Sequence, residues 1–120
     1  MLNNFVGTQY RLANNWFQHM NVNDYKDRPI KYLEIGTFYG ANILSVAKTY
    51  GAHNDSNLYC IDPWEDYSDY PEYKNQQTTI YETFMNNIEN SDAKDKIIVR
   101  RGYSNNEIPK SQEDFFDLIY

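Results

Sequence analysis

The sequence predicts an α/β fold, an open parallel sheet with helical crossovers, and three observations predict it. Short apolar runs of strand length, "KYLEI", "NLYCID", "KIIVRRG" and "FFDLIY", recur along the chain. Stretches with apolar residues at helical spacing lie between the first three of them. Alternation at this spacing indicates parallel strands joined by helices, and right-handed crossovers narrow the topology. The runs are also apolar throughout, as strands are when both faces of a sheet are covered.

In order, residues 9–20, "QYRLANNWFQHM", place Leu12, Trp16 and Met20 four apart. That spacing predicts an amphipathic helix packed on the main body. "NVNDYKDRP" then breaks it, so residues 1–30 read as an N-terminal helical cap segment. Residues 31–35 predict a buried strand. Residues 41–50 carry Ile43, Leu44, Ala47 and Tyr50 on one stripe, and Gly51 follows where a left-handed cap is wanted. Residues 57–62 predict a second strand, and "PWEDYSDYPEY" an aromatic, acidic loop. A helix is expected over about 74–90, with Ile80, Tyr81, Phe84 and Ile88 on one side. "KIIVRRG" is the third strand, "YSNNEIPKSQED" a loop with at most a helical turn, and "FFDLIY" the fourth strand.

Composition sets limits. The 120 residues suffice for one domain and one core. A net charge of −6 argues against non-specific nucleic-acid binding, which needs a basic surface. No apolar run reaches the ~18 residues of a membrane span, and the N-terminus lacks the pattern of a signal peptide; a cytoplasmic location is expected. The single cysteine, Cys60, sits in an apolar run and reads as a core thiol. His19 and His53 have no ligand spacing, so no metal site is expected on them. The 12 tyrosines read mostly as half-buried surface rings.

The chemistry is concentrated where strands end. "LEIGTFYGAN" leaves the first strand through Glu34, Gly36 and Gly40. A glycine there lets the backbone turn sharply and lie close to a ligand, and in open α/β folds ligands bind at this edge. A side chain at Gly40 would crowd the start of the helix. The middle glycine of dinucleotide binders is missing; Thr37, Phe38 and Tyr39 stand there instead and suit a ligand without phosphates. Glu34 places a negative charge below the site, which suits a cation. Asp62 ends the second strand about 25 residues on, where an acid can hold ribose hydroxyls, though Asp-Pro also suits a turn. Pro63 and Trp64 follow, where an apolar or flat group suits an adenine ring. Gly102 and Ser104, after the third strand, suit the adenine edge. The acids Glu65, Asp66, Asp69 and Glu72 match no calcium loop and read as a solvated loop or a lid. The ligand these loops describe is a nucleoside with a cationic, phosphate-free tail, and S-adenosylmethionine fits it.

Over residues 30–120 the chain resembles class I S-adenosylmethionine-dependent methyltransferases. "LEIGTFYGAN" is similar to their first motif and "CIDPW" to their second. "KDKIIVRRGYSNNEIP" followed by "FFDLIY" is similar to the catechol and sugar O-methyltransferase branches. The resemblance implies a Rossmann-like sheet truncated after its fourth strand, with residues 31–120 as the cofactor-binding half. It implies that Glu34, Gly36 and Phe38 line the methionine side with Asn42 near its carboxylate, and that Gly40 permits close packing. Asp62 would hold the ribose, Pro63 would touch the adenine, and Tyr103 and Ser104 would meet its edge.

The resemblance further implies methyl transfer to a small-molecule acceptor, most simply on oxygen. The family's later strands, acceptor pocket, catalytic base and Mg²⁺-binding acid would lie beyond Tyr120. The sequence is therefore expected to be a piece of a longer protein. The alternative is a half-domain that relies on a partner, with a homo-oligomer or partner chain at its open sheet edge and a non-catalytic role. A nicotinamide-dependent oxidoreductase is a third reading, disfavoured by the missing glycine.

Overall fold

The computed structural model describes residues 5–7, 9, 12–65, 71, 74–103 and 116–120. Four strands, β1 (Lys31–Ile35), β2 (Asn57–Asp62), β3 (Ile97–Arg101) and β4 (Leu118–Ile119), form one sheet in the order β3-β2-β1-β4. All three pairings are parallel. Two helices, α1 (Ala41–Ala47) and α2 (Gln77–Glu89), make the crossovers from β1 to β2 and from β2 to β3. The chain thus steps outward from β1 and returns to its other side for β4. Strand order reverses beside β1, the place where open α/β sheets bind ligands.

Side chains alternate across a strand, which divides the sheet between two faces. Ile30, Tyr32, Leu58 and Cys60 share one core with Ile43, Leu44 and Val46 of α1 and Ile80, Phe84 and Ile88 of α2. Every residue of α1 is buried, because the N-terminal segment covers its outer side. On the other face of the sheet Leu33 and Ile61 are buried, while Ile35 and Ile119 remain exposed.

The helix expected over 9–20 is absent among the described residues; a single 3-10 turn, Ala13–Trp16, stands in its place. Asn14 and Asn15 are weak helix formers, and the segment is held by tertiary contacts instead. The Ala13 N–H donates to Ser45 Oγ at 2.7 Å. The Trp16 ring lies against Tyr32, Tyr50 and Tyr120 at centroid distances of 6.5, 5.8 and 5.0 Å. The four-residue spacing therefore marked a packing stripe, not a helix. Tyr32 and Tyr50 are fully buried, whereas Tyr25, Tyr39, Tyr59 and Tyr81 are half-buried and Tyr103 and Tyr120 exposed.

β1 and β2 occupy the residues expected, and α2 keeps Ile80, Phe84 and Ile88 buried as its spacing requires. α1 is shorter than expected, and Gly51 is not among the glycines with positive φ. Glycine is needed there for space: a Cβ would stand 2.8 Å from Leu58 Cδ2 and 3.3 Å from the Val46 carbonyl. Lys96 Nζ closes the same helix end, donating to the carbonyls of Ala47 (3.2 Å) and Gly51 (2.8 Å). A cation suits the carbonyl end of a helix. β4 is only two residues long, but backbone bonds run past it: Asp117 N–H to Lys31 O, Tyr120 N–H to Leu33 O and Ile35 N–H to Tyr120 O.

Because Leu58 is fully buried and cannot swing aside, Gly51→Ala should cost about 1–3 kcal/mol of stability, read by urea denaturation. An unchanged midpoint would refute the crowding.

Candidate functional site

The loop from β1 into α1 is built on left-handed backbone. Gly36, Phe38 and Gly40 have φ of 81°, 55° and 91°. The two glycines serve different ends. A Cβ on Gly36 would meet nothing within 4 Å, so the space beside it is open. A Cβ on Gly40 would stand 2.8 Å from Phe84 Cδ1. Gly40 therefore lets α2 close over the start of α1, a neighbour the sequence does not name. Phe38 carries the strain of a non-glycine residue at positive φ.

Asp62 holds that loop in place. Its Oδ2 accepts the N–H groups of Thr37 (3.0 Å) and Phe38 (2.9 Å), and its Oδ1 accepts the N–H of Trp64 (2.7 Å). The exits of β1 and β2 are thereby stitched together through one carboxylate that is 5 % exposed. Trp64 adds a fourth bond, donating Nε1–H to Phe38 O at 3.0 Å. The Gly102 N–H donates to Asp62 O at 3.1 Å, and Arg101 Nε to Pro63 O at 3.4 Å, which brings in the exit of β3.

Below the loop lies a buried polar cluster. Glu34 Oε1 accepts from Tyr32 Oη (2.7 Å) and Asn42 Nδ2 (2.6 Å), and the Asn42 amide also donates to Tyr32 Oη (3.1 Å). Glu34 Oε2 and Thr37 Oγ1 have no hydrogen-bond partner. Burial pushes the Glu34 carboxyl up to about 7, against the lowering effect of the Tyr32 and Asn42 bonds. The Thr37 hydroxyl stands close enough to ease that charge without reaching hydrogen-bond geometry. Burial likewise raises the Tyr32 hydroxyl and the Cys60 thiol, each further raised by Glu34. The sequence suggests a fixed negative charge at Glu34; the structure holds a carboxyl that ionises near neutrality.

The expected site residues separate into two groups. Gly36, Thr37, Phe38, Asp62, Pro63 and Tyr103 converge on the exits of the three strands. Gly40, Asn42 and Trp64 lie behind that surface. The Asn42 amide is committed to Glu34 and Tyr32, so it supports the acid and is not free for a ligand carboxylate. Trp64 is 1 % exposed, its ring 4.9 Å from Tyr81 and 4.8 Å from Phe84. It is a core residue, and its own ring is not presented to an adenine. Tyr103 is exposed and donates its hydroxyl to Glu65. Ser104, Asp66, Asp69 and Glu72 lie outside the described residues.

Sequence reasoning missed Tyr32. Its signal was available: Tyr32 and Glu34 are two apart on a strand, hence on one face. It also missed Arg101, whose guanidinium lies 4.1 Å from the Tyr81 ring centroid. No cluster of three or more metal-ligating side chains forms among the described residues. A groove of about 560 Å³ lies at the far ends of α1 and α2, lined by Ala47, Asn87, Asp92 and Lys96, away from the strand exits.

Two predictions follow from this geometry. Asp62→Ala orphans three backbone N–H groups and should cost about 3 kcal/mol of stability, whereas Asp62→Asn, which keeps one good acceptor, should cost less; equal losses in denaturant would refute the stitch. The Glu34 carboxyl ionises less readily in the folded chain than its ordinary value of 4.5, so the folded state binds the extra proton between the two values. Stability should therefore fall as pH rises from about 5 towards about 7, and Glu34→Gln should flatten that slope. A slope that survives the substitution would assign it to another group.

A family profile described as "Methyltransferase domain" matches residues 33–120. The match begins inside β1 and spans the glycine loop, Asp62 and every later strand. The chain belongs to this methyltransferase-domain family. No curated protein gives a significant match.

Proposed function

We propose, from that membership and from the geometry of the strand exits, that the chain supplies the S-adenosylmethionine-binding half of a methyltransferase acting on a small molecule, on oxygen. One observation carries the reading. The open space at Gly36 lies beside the reversal of strand order, with a buried acid two residues earlier on the same strand. This combination suits a cationic ligand whose backbone-hugging part needs a residue without a side chain. Phosphates would instead want unpartnered N–H groups, and those of Thr37 and Phe38 are already taken by Asp62.

Fit to the whole cofactor can be judged residue by residue. Gly36 admits the methionine part, and the half-buried Phe38 ring flanks it. Asp62 spends three acceptor positions on backbone donors; a carboxylate has about four, which leaves one for a ribose hydroxyl. Pro63 and Tyr103 stand on the adenine side. Asn42 and Trp64 act one layer back, through Glu34 and through the loop. When bound, the cofactor supplies a methyl carbon made electrophilic by its sulfonium. The protein's part in such a transfer is mainly to hold acceptor and methyl group in line. The acceptor site, any Mg²⁺ ligand and any base are expected from residues other than those described.

A second reading has one observation in its favour. Ile119 is 64 % exposed and Ile35 40 %, on the sheet face beside the outer strand β4. A non-catalytic module pairing there with a second chain would cover them. Size-exclusion chromatography separates the two: a monomer that binds the cofactor favours the first.

Titration calorimetry tests the binding. S-adenosylmethionine or its demethylated product should bind the wild-type chain. Gly36→Ala should lower affinity by about tenfold or more while costing only about 1–2 kcal/mol of stability, because its Cβ occupies the ligand's space and nothing else. Unchanged affinity in that variant would refute the assignment.

A further inference from the structure

The binding reading leaves the unpartnered oxygen of Glu34 unexplained. The groups acting on this carboxyl come from every element packed around it. They are Tyr32 on its own strand, Thr37 in the loop above, Asn42 from α1, and Cys60 and Asp62 from β2. Among the described residues none of these is a cation. Asp62 is an acid and opposes a second negative charge. An ionised Glu34 would thus be a buried anion with one oxygen bare, which is costly. The neutral acid avoids that cost while keeping the Tyr32 and Asn42 bonds to Oε1. A positive charge arriving nearby reverses the preference, because an opposite charge within a few ångströms favours the ionised form.

We propose that Glu34 links ligand entry to proton release: the empty protein holds its carboxyl as the neutral acid, and a cation settling at Gly36 breaks the Oε2–H bond. The proton leaves to bulk water and the electron pair stays on the carboxylate, opposite the new charge. The inference rests on the reading that this space takes S-adenosylmethionine, which carries two cationic groups, an ammonium and a sulfonium. The chemistry required is a cation, and either group supplies it.

Calorimetry in pairs of buffers with different ionisation enthalpies counts the protons released. Close to one proton per ligand is expected at about pH 6, with affinity rising up to about tenfold per pH unit until neutrality and then levelling. The demethylated product keeps the ammonium and loses the sulfonium. Release with both ligands assigns the ammonium; release with S-adenosylmethionine alone assigns the sulfonium. Glu34→Gln retains an acceptor for Tyr32 and Asn42 and should bind without releasing a proton. Should that variant fail to fold, carbon-13 NMR of the wild-type carboxyls reads the same event: one buried glutamate titrates near neutrality in the empty protein and is ionised once ligand is added. Binding with no proton release, or a Glu34 already ionised in the empty protein at pH 6, overturns this inference alone. Failure of either ligand to bind overturns the binding reading, and the inference with it.

Discussion

One carboxylate organises the site. Asp62 accepts three backbone N–H groups from two loops, and without it those donors would be buried and unpaired. Each such donor costs about 1–3 kcal/mol if left without a partner. The left-handed turn at Phe38 stores strain of about 1–2 kcal/mol in the same loop. The carboxylate offsets that strain and fixes where Gly36 faces. The shape of the opening therefore depends on a residue that contacts backbone before it contacts any ligand.

Beneath this loop the protein tolerates a polar cluster in its core. Tyr32 and Asn42 share one oxygen of Glu34, and all three are nearly inaccessible to water. Apolar residues would pack there at lower cost, since buried acids contribute little to stability. The proposed entry of a cation at Gly36 gives this cluster of an acid, a phenol and an amide a physical reason.

The central strands were legible in the sequence because period and burial agree: residues 31–35 and 57–62 carry apolar runs, and both became strands at those residues. The glycine loop was legible because positive φ leaves a residue-type signature. The N-terminal segment was not, since Leu12, Trp16 and Met20 recur every fourth residue for tertiary reasons. Trp64 read as a cover for an adenine ring because it follows a strand end, but with a φ of 48° it folds back into the core. Gly51 looked like a cap for lack of any sequence trace of Leu58 pressing against it. Asp62 was identified as important for its position, while its backbone partners could be seen only once two loops met in space.

The strand order has a consequence for how the chain is made. β1 is the inner strand that waits longest for its second neighbour. Lys31 donates its N–H to Asp117 Oδ2, a partner 86 residues further along, while its bonds to β2 join residues far nearer in sequence. On the ribosome, one side of β1 stands open until residues 117–120 have been synthesised. Unpaired strand edges recruit other chains, and distant pairings form late. The nascent chain is therefore most exposed to misassembly in the interval after β3 has emerged and before β4 arrives.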